Sequence, residues 1–331
     1  MSAKPAILVA RAVFPEVIAS LREHFEVATN DDDVALTPAE LAQRLQGKVG
    51  VLTTGSERVD AALLKACPRL KVAANIAVGF NNFDVPAMTA AGVLGTNTPD
   101  VLTETTADFG FALMMAAARR ISESEHALRR GEWTKWSYDM FCGSDVHGAT
   151  LGILGMGRIG QAIARRGALG FGMKVIYHNR SRLAPAQEAP LGARYVDKAT
   201  LLCEADHLVL VLPYSPAAHH AIGAAELAQM KPGATLTNIA RGGIVDDAAL
   251  AVALRDRVIS AAGLDVFEGE PALNPALLTL PNVVLTPHIA SATTATRRAM
   301  AELAADNLIA ALTGATPPTP LNPEVLPLRH G

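Results

Sequence analysis

The segment Leu151-Gly-Ile-Leu-Gly-Met-Gly-Arg-Ile-Gly160 decides how the rest of the chain is interpreted. Its first four residues, Leu151–Leu154, have the apolar character of a short buried strand. A helix is predicted from Arg158 to Ala168, and a second apolar strand from Lys174 to His178. The segment therefore predicts a strand–helix–strand unit of a doubly wound parallel sheet.

The glycines between the first strand and the helix give this unit a function. Gly155, Gly157 and Gly160 form the pattern G-x-G-x-x-G. The first permits a tight turn, the second lets a pyrophosphate approach the backbone, and the third allows close helix–strand packing. The unpaired N–H groups of the helix N-terminus then face the phosphates. In this context the pattern predicts a dinucleotide site, and the alternative is a tight βα turn without a ligand.

The residues after the second strand indicate which dinucleotide binds. An acid about 20 residues beyond the motif would bind the ribose 2′-OH of NAD. The chain instead has Asn179-Arg180-Ser181, followed by Arg182. Asn179 carries no charge to repel a 2′-phosphate, and the two guanidinium groups can bind one. The turn favours NADPH, with NADH possible, and the alternative is a solvated basic turn.

Length and composition limit the class of protein. The chain has 331 residues, half of them hydrophobic, and a net charge of −3, which indicates two globular domains and no nucleic-acid or anionic-membrane partner. The three cysteines are far apart, so we expect neither a disulfide nor a metal site. With no signal peptide or apolar membrane span visible, we expect a cytoplasmic protein.

Before the glycine motif, the chain already alternates between strands and helices, which is typical of a parallel sheet with helical crossovers. We therefore expect an α/β unit in the first hundred residues. The predicted strands are Ala6–Ala10, Glu26–Thr29, Val49–Thr53 and Val72–Ile76, and the predicted helices are Pro15–His24, Pro38–Leu45 and Val59–Ala66.

After the motif the alternation resumes. A long helix, Thr105–Ile121, and a polar-aromatic stretch, Ser122–His147, connect the two halves, and the stretch suggests an arm that packs on a partner subunit. The predicted strands are Ala205–Pro213, Ala234–Ile239, Ala261–Val266 and Val283–Thr286. The predicted helices are Ala224–Met230, Asp246–Arg257 and Ala295–Thr313, the last of which returns to the first domain.

Three charged or titratable residues follow successive strands of the second half: Arg241, Glu270 and His288. Strand ends of such a sheet converge on the crevice where ligands bind. Arginine binds both oxygens of a carboxylate and stabilises charge on a reacting oxygen. Histidine donates a proton near neutral pH, and a neighbouring carboxylate favours its charged form. Together they predict the reduction of a 2-oxo acid to a 2-hydroxy acid.

A turn in the first half is a second candidate binding segment. Asn75-Ile-Ala-Val-Gly-Phe-Asn-Asn-Phe-Asp84 leaves a strand and leads into a helix, so its N–H groups lie at the carboxyl end of the sheet. Gly79 would let an anion reach this backbone. From spacing alone, an anion site and an ordinary turn are equally good interpretations.

Six segments in order resemble the D-isomer-specific 2-hydroxyacid dehydrogenase family, most closely its glyoxylate/hydroxypyruvate reductase branch. The resemblance covers most of the chain. The segments are Val78-Gly79, Thr105-Thr-Ala-Asp108, Leu154-Gly-Met-Gly-Arg-Ile-Gly160, Asn238-Ile-Ala-Arg-Gly-Gly243, Leu264-Asp-Val-Phe-Glu-Gly-Glu-Pro271 and Thr286-Pro-His-Ile-Ala-Ser291.

The resemblance assigns roles to individual residues. It implies that Arg241 binds substrate, that His288 donates the proton and that Glu270 is the carboxylate paired with His288. It also implies substrate binding by the backbone of Val78 and Gly79. The implied cofactor-binding residues are Thr106, Gly155, Gly157, Arg158, Ile159, Gly160, Asn179, Arg180, Ser181, Pro213, Ile239, Ala240, Asp265 and Ser291.

The resemblance also implies an architecture of two doubly wound parallel-sheet domains. A Rossmann cofactor domain, residues 102–289, would be inserted in a flavodoxin-like substrate domain, residues 1–101 plus 290–331. An arm at about 122–148 would form a homodimer. Met140 stands where similar mammalian-type reductases carry a tryptophan, so 2-oxogluconate and bulkier 2-oxo acids stay open as substrates.

Other branches of the same fold family fit less well. Formate-type relatives carry a glutamine where this chain has Glu270, because formate needs no protonation. Phosphoglycerate dehydrogenases usually carry additional regulatory sequence. A corepressor-like NAD(H) sensor would keep Arg241, Glu270 and His288, so these residues do not exclude it. The Asn179-Arg180-Ser181 turn and the absence of long flanking polar segments make it the weaker alternative.

Overall fold

The computed structural model describes residues 4–329. The chain divides into two compact units, one made of residues 4–102 and 293–329 and the other of Thr103–Ala292. Each unit is a parallel sheet with helical crossovers, as the alternation of strands and helices predicts.

Among the described residues, the sheet of the first unit has five parallel strands in the order β2-β1-β3-β4-β5. This is the strand order of flavodoxin-like folds. The strands are β1 (Ala6–Val9), β2 (Glu26–Ala28), β3 (Gly50–Thr53), β4 (Val72–Asn75) and β5 (Leu94–Thr96). The helices are α1 (Pro15–His24), α2 (Pro38–Arg44), α3 (Ala61–Ala66), α4 (Val85–Ala90) and, from the C-terminal part, α12 (Thr294–Thr313).

The long C-terminal helix α12 completes the core of this first unit. It packs with α1 over one face of the sheet, where Ile7, Val9, Leu52 and Leu308 are buried side by side. Gly50 in β3 permits this close packing, because a Cβ at that position would lie 3.0 Å from Leu308 Cδ1. The prediction that this helix returns to the first half of the chain is confirmed.

The sheet of the second unit has seven parallel strands within the described residues, in the order β12-β11-β10-β9-β6-β7-β8. This is the Rossmann order with one further strand. The strands are β6 (Thr150–Leu154), β7 (Lys174–His178), β8 (Arg194–Tyr195), β9 (His207–Leu210), β10 (Thr235–Asn238), β11 (Ala261–Leu264) and β12 (Val283–Leu285).

The helices of the second unit cover both faces of this sheet. They are α5 (Thr103–Ala118), α6 (Ile121–Arg129), α7 (Arg158–Arg165), α8 (Pro185–Glu188), α9 (Lys198–Glu204), α10 (Ala224–Leu227) and α11 (Asp247–Arg255). A π-helical turn covers Arg166–Gly170, and short 3-10 turns cover Ala189–Leu191, Pro216–Ala218, Pro275–Thr279 and, in the first unit, Pro323–Arg329.

The strand register brings the candidate segments to one edge of the second sheet. Leu154 is paired with both His178 and Leu210, so β6, β7 and β9 end at the same level. Asn238 of β10 is paired with Leu210 and with Leu264 of β11. The glycine motif and the loops after β10 and β11 therefore all begin at the carboxyl edge, beside the point where strand order reverses between β6 and β9.

The connecting helix differs from the prediction. The predicted Thr105–Ile121 helix ends three residues early, because α5 ends at Ala118 and Arg120 has left-handed backbone with φ 52°, after which a separate helix, α6, begins at Ile121. The predicted arm consequently begins as helix α6. Helix α7 also ends earlier than predicted, at Arg165, where the π-helical turn replaces its last residues. In the part of the chain that the structure describes, no helix is long and apolar enough to cross a bilayer.

Candidate active site

The glycine motif has the geometry of a phosphate-binding turn. Gly155 has φ +103°, and a Cβ there would lie 2.6 Å from the backbone nitrogen of Leu212. A Cβ at Gly160 would lie 2.4 Å from the Gly155 carbonyl oxygen. At Gly157, the N-cap of α7, the space is open, and a glycine has no side chain to cap this helix end. The site therefore has room for a pyrophosphate at the helix N-terminus, where the first N–H groups have no intrahelical acceptor, and a dinucleotide fits it.

The basic turn after β7 is attached to this motif. The side-chain oxygen of Asn179 accepts a hydrogen bond from the N–H of Met156 at 2.6 Å, and its carbonyl accepts one from the Tyr195 hydroxyl at 3.1 Å. Arg180 and Ser181 are exposed beyond it. The turn thus holds Arg180 next to the glycine motif and places no carboxylate at the ribose position.

A buried hydroxyl lies on the first turns of α5. Thr106 is 5 % exposed, and its Oγ1 has no hydrogen-bond partner among the described residues. An unsatisfied buried hydroxyl is costly unless a ligand supplies its partner. This fits the prediction that Thr106 contacts the cofactor. The neighbouring Asp108 has a structural contact instead, an ion pair with Arg166 of the π-helical turn.

His288 and Glu270 form a hydrogen-bonded pair. His288 Nδ1 and Glu270 Oε2 are 2.7 Å apart, and the side chains are 48 % and 31 % exposed. Glu270 Oε1 also accepts a hydrogen bond from the N–H of Phe267 at 3.0 Å. Burial raises the pKa of Glu270, but the bonds to His288 and Phe267 outweigh it and hold this pKa below its ordinary value. Glu270 is therefore an anion that orients the imidazole through Nδ1.

Asp265 fixes the turn that carries His288. Its carbonyl accepts the N–H of His288 at 2.9 Å. Its fully buried carboxylate accepts the N–H groups of Ile289 and Ala290, each at 2.8 Å, and the hydroxyl of Thr286 at 2.7 Å. These contacts hold the proton-donor candidate at a set position, with φ +54° at His288. This positioning role was not expected from the sequence.

Arg241 lies in the loop after β10. Its Nη1 donates to the carbonyl of Ala240 at 2.7 Å, and its own carbonyl accepts a hydrogen bond from Asn238 Nδ2 at 3.3 Å. Burial lowers the pKa of Arg241 and the charge of Glu270 opposes this, so an anion is favoured beside the guanidinium. Gly242 lets the loop pack on the carbonyl of Phe267, which a Cβ would approach to 1.8 Å.

In the first unit, the turn after β4 is held by hydrogen bonds to its carbonyl groups. The carbonyls of Ala77, Val78 and Gly79 accept hydrogen bonds from Thr98 N, Asn97 Nδ2 and Asn75 Nδ2 at 2.9, 2.8 and 3.1 Å. Over residues 4–329 the N–H groups of Val78 and Gly79 have no acceptor. The turn therefore has the geometry to bind an anion, and the sequence did not indicate the roles of Asn75 and Asn97.

Comparison with known proteins identifies the family of this chain. The sequence model of the "D-isomer specific 2-hydroxyacid dehydrogenase, NAD binding domain" family matches residues 111–290. The chain is 48 % identical to a glyoxylate reductase of Thermococcus onnurineus over 98 % of each chain. The chain belongs to the D-isomer-specific 2-hydroxyacid dehydrogenases. The family and enzyme class predicted from the six segments are confirmed.

This dehydrogenase is also similar to other reductases, both in sequence and in solved structure. It is 46 % identical to a glyoxylate/hydroxypyruvate reductase B of Klebsiella pneumoniae, over 97 % of this chain and 99 % of that one. It superposes with a TM-score of 0.85 on an NADPH-dependent glyoxylate/hydroxypyruvate reductase of Sinorhizobium meliloti, in complex with NADP and malonate. That protein is 36 % identical, with 96 % and 97 % of the two chains covered. The predicted fold of two α/β parallel-sheet domains is confirmed.

The remaining cofactor-binding predictions of the dehydrogenase lie at the carboxyl edge of the second sheet or in the turns beyond it. Ile239, Ala240 and Asp265 are buried, Ile159 and Ser291 are half-buried, and Arg158 and Pro213 are exposed.

Arg182 does not act as the sequence suggested. Its guanidinium binds both carboxylate oxygens of Glu188, with Nε–Oε1 at 2.9 Å and Nη2–Oε2 at 2.7 Å. Glu188 is 6 % exposed and also accepts the buried Tyr177 hydroxyl at 2.6 Å, while the Tyr177 oxygen accepts the N–H of Leu183. The bidentate pair occupies Arg182. Arg182 therefore closes the loop that carries Arg180, and we no longer assign it to a 2′-phosphate.

The sequence names no partner for the histidines other than His288, and from it we expect surface positions for them. His207 departs from this expectation: it is fully buried in β9, between Thr235 Oγ1 at 2.8 Å and the Asp145 carbonyl at 3.0 Å. His219 and His220 do lie at the surface, with side chains 42 and 36 % exposed, and both lie beside Glu268. Such long-range partners of a histidine are not visible in local sequence.

The Glu188 network predicts a pH-dependent contribution to the stability of the dehydrogenase. Hydrogen bonds from Arg182 and then Tyr177 lower the pKa of Glu188 from 4.5 to about 2. Because the pKa of Glu188 is lower in the folded than in the unfolded protein, the ionised carboxylate stabilises the fold above pH 4.5. This stabilisation is lost as the pH falls toward 2. We expect Glu188→Gln to lower the urea midpoint at neutral pH, and the difference from wild type to narrow steadily below pH 4.5.

Glu204→Gln is the matched control for this measurement, because Glu204 is also paired with an arginine, Arg194, but is 46 % exposed. Exposed ion pairs contribute little. We expect its urea midpoint to follow that of wild type at every pH. A Glu188→Gln deficit that stayed constant down to pH 3 would show that the carboxylate charge is not the stabilising feature.

Proposed function

We propose that this dehydrogenase reduces glyoxylate and hydroxypyruvate with NADPH, and that the product with a new stereocentre is the D-2-hydroxy acid. The observation that carries the proposal is the His288–Glu270 pair at 2.7 Å on the same sheet edge as the glycine motif. The names of the relatives from Thermococcus, Klebsiella and Sinorhizobium support this substrate class.

We propose that His288 is the proton donor. Glu270 accepts a hydrogen bond from the Nδ1–H of the ring and stays ionised, so Nε2 is the nitrogen to which we assign proton transfer. The imidazolium gives its Nε2 proton to the oxygen on C2 of the substrate, and the ring becomes neutral. Bound NADPH supplies the hydride that C2 accepts. Glu270 orients the ring through this step, and Asp265 fixes the turn from behind.

We propose that Arg241 binds the substrate and stabilises charge on the C2 oxygen. Its planar guanidinium can bind two oxygens in one plane, which a lysine cannot do. In the first unit, the same proposal assigns the carboxylate of the substrate to the N–H groups of Val78 and Gly79. Asn97 and Asn75 donate hydrogen bonds to the carbonyls of Val78 and Gly79, which fixes the conformation of this turn.

We further propose that the second unit is the cofactor domain and the first the substrate domain, with bounds near 102–289 and 1–101 plus 290–331. Gly155, Gly157 and Gly160 would receive the pyrophosphate, with Arg158 and Ile159 at the helix N-terminus. Thr106, Pro213, Ile239, Ala240, Asp265 and Ser291 would line the nicotinamide half. Asn179, Arg180 and Ser181 would bind the phosphorylated ribose.

Arg180 is the residue we expect to set cofactor preference. Replacing it with alanine removes a charge-assisted bond to the 2′-phosphate, and such bonds contribute about 1.5–3 kcal/mol. We expect Arg180→Ala to raise KM for NADPH about 10- to 100-fold. KM for NADH should change little, because NADH has no 2′-phosphate, so NADH kinetics serve as the internal control. An equal rise for both cofactors would remove Arg180 from phosphate recognition.

The substrate proposal is tested by following NADPH and NADH absorbance with glyoxylate, hydroxypyruvate, pyruvate, 2-oxogluconate and phenylpyruvate. We expect the highest kcat/KM with NADPH as the cofactor and with glyoxylate or hydroxypyruvate as the substrate. A preference for 2-oxogluconate or phenylpyruvate would keep the mechanism and change the substrate. No turnover despite NADPH binding would favour the sensor alternative.

The arm supports a proposal about the assembly of the protein. Trp133, Trp136 and Tyr138 are 56, 70 and 90 % exposed, which is a large aromatic surface for a single chain. We propose that this arm, residues 122–148, covers a second copy in a homodimer. Sedimentation equilibrium should give twice the chain mass, and Trp136→Ala should shift the protein toward monomer.

The exposed free thiols of Cys142 and Cys203 suit the reducing cytoplasm, where we propose that the enzyme acts.

A further inference from the structure

A cluster of metal-ligand side chains lies outside the residues assigned to catalysis. His219, His220 and Glu268 each offer one donor atom, and these atoms all lie within 4.8 Å of one another. The side chains are 42, 36 and 44 % exposed, so an ion from solvent can reach them. Within residues 4–329 no other group brings three such donors together.

Glu268 lies between the Nε2 atoms of the two rings. His220 Nε2 is 2.9 Å from Glu268 Oε2, and His219 Nε2 is 3.9 Å from Glu268 Oε1. The rings themselves are stacked with centroids 3.9 Å apart. In a zinc site with bonds of about 2.0–2.2 Å, donor atoms lie about 3–4 Å apart. The separations here, 2.9 and 3.9 Å to the carboxylate and at most 4.8 Å among the three donors, are close to that spacing.

The Nδ1 atoms of the two rings lie next to further polar groups. His219 Nδ1 is within hydrogen-bond distance of the Tyr214 hydroxyl, at 3.3 Å, and His220 Nδ1 has the Asp246 carboxylate as a charged neighbour, 3.9 Å from Oδ2. Such outer partners orient an imidazole and fix which nitrogen faces the ion. In both residues they lie on the Nδ1 side, so both Nε2 atoms are directed to the Glu268 carboxylate.

The backbone holds this arrangement in place. His220 has φ +50°, a conformation that non-glycine residues seldom adopt, and its N–H donates to the Gly243 carbonyl at 2.7 Å. Gly243 has φ +77°, and a Cβ there would lie 3.2 Å from His219 Nδ1. The N–H of Glu268 donates to the buried Asp247 carboxylate at 3.0 Å. An uncommon backbone conformation that is fixed by several contacts often marks a functional segment.

We propose that His219, His220 and Glu268 bind one divalent transition-metal ion of the zinc class. Two imidazole nitrogens and a carboxylate suit Zn²⁺ and Co²⁺, with water completing the coordination, and do not suit the all-oxygen preference of Mg²⁺. The ion joins the 219–220 turn to the loop that carries Glu270, and so braces the segments on either side of Gly243. This site is separate from the proposed reduction, which requires no metal ion.

The test is titration of chelator-treated full-length protein with Zn²⁺ by calorimetry and with Co²⁺ by visible absorption. We expect one ion per chain, Co²⁺ bands typical of low coordination number, and a higher Tm with Zn²⁺, because an ion that binds only the folded state stabilises it. His219→Gln, His220→Asn and Glu268→Gln should each weaken binding at least tenfold. Tyr214→Phe should weaken it by about tenfold through loss of the hydrogen bond to His219 Nδ1.

Two controls separate this site from other histidines. His126→Gln removes an exposed histidine with a glutamate neighbour, and His288→Ala removes the catalytic pair; both should retain full metal binding. Asparagine tolerates the left-handed backbone at position 220, so that variant keeps the fold. Absence of binding, binding unchanged in the three ligand variants, or loss of binding in His288→Ala would each overturn the proposal.

Discussion

Replacement of His288 by alanine is expected to lower kcat about 10²- to 10⁴-fold, the usual contribution of a positioned general acid. The imidazole is aligned by Glu270 at 2.7 Å and by the backbone of Asp265. The alanine side chain has no group that can donate a proton, so water would have to supply it. The measurement is steady-state oxidation of NADPH with saturating glyoxylate.

The control for His288→Ala is cofactor binding, followed by NADPH fluorescence, which should keep its Kd because His288 is assigned to the substrate oxygen. His126→Ala, whose side chain is 67 % exposed, should have wild-type kcat. A His288→Ala enzyme with near-normal kcat would remove His288 as the acid. A normal kcat together with weak NADPH binding would mean that His288 binds the cofactor and does not donate the proton.

Replacement of Arg241 by lysine is the second large effect we expect. The charge stays, but a single ammonium cannot replace the two coplanar donors of a guanidinium. Loss of a donor that stabilises a reacting oxygen typically costs about 10²- to 10³-fold in kcat, so we expect kcat/KM to fall by at least that factor. The measurement compares kcat and KM for glyoxylate and hydroxypyruvate.

Arg255→Lys is the matched control for Arg241→Lys, because Arg255 lies in the same unit with a 64 % exposed side chain paired with Asp256. We expect it to behave as wild type in kcat, KM and Tm. A loss of activity in Arg241→Lys that is accompanied by an equal fall in Tm would point to a folding defect. Unchanged kcat/KM would mean that Arg241 does not act on the substrate.

The sequence predicted most of the fold because its periodic segments are long and apolar. Pro15–His24 and Lys174–His178 have the predicted bounds, and α2 begins at Pro38 as predicted, after a capping box formed by Thr37 and Glu40. The two-residue strand β8 and the break at Arg120 were not predicted. The first is too short to show a period, and a left-handed arginine carries no sequence signal of the kind that glycine or proline gives.

The candidate site was predictable where residues follow strand ends, since strand order brings those positions together. Arg241, Glu270 and His288 were found in this way, and the 2.7 Å Glu270–His288 pair followed from it. The supporting contacts were not predictable. Arg182 was read as a phosphate ligand because Glu188, six residues on, gives no hint in sequence that it is buried and bound to Tyr177.

The same long-range dependence applies to His219 and His220. Their neighbours Glu268 and Asp246 are 48 and 26 positions away from His220 along the chain. The segment after β9, which carries both histidines, packs on the loop after β10, and that loop packs on the loop after β11, which brings these side chains together. Local pattern could report that the two histidines are adjacent, but not which side chains face them.

Arg241, Glu270, His288 and the glycine motif all belong to Thr103–Ala292, one uninterrupted stretch of chain. Two recombination points, one on each side of this stretch, would therefore move the proton donor, its orienting carboxylate and the phosphate-binding turn into another gene as a single fragment. The fragment would arrive with its alignment intact, because Asp265 and Phe267, which set the positions of His288 and Glu270, travel with it. Evolution and laboratory chimeras can thus exchange the partner sequence around this stretch, and change what is reduced, while the chemistry is inherited whole.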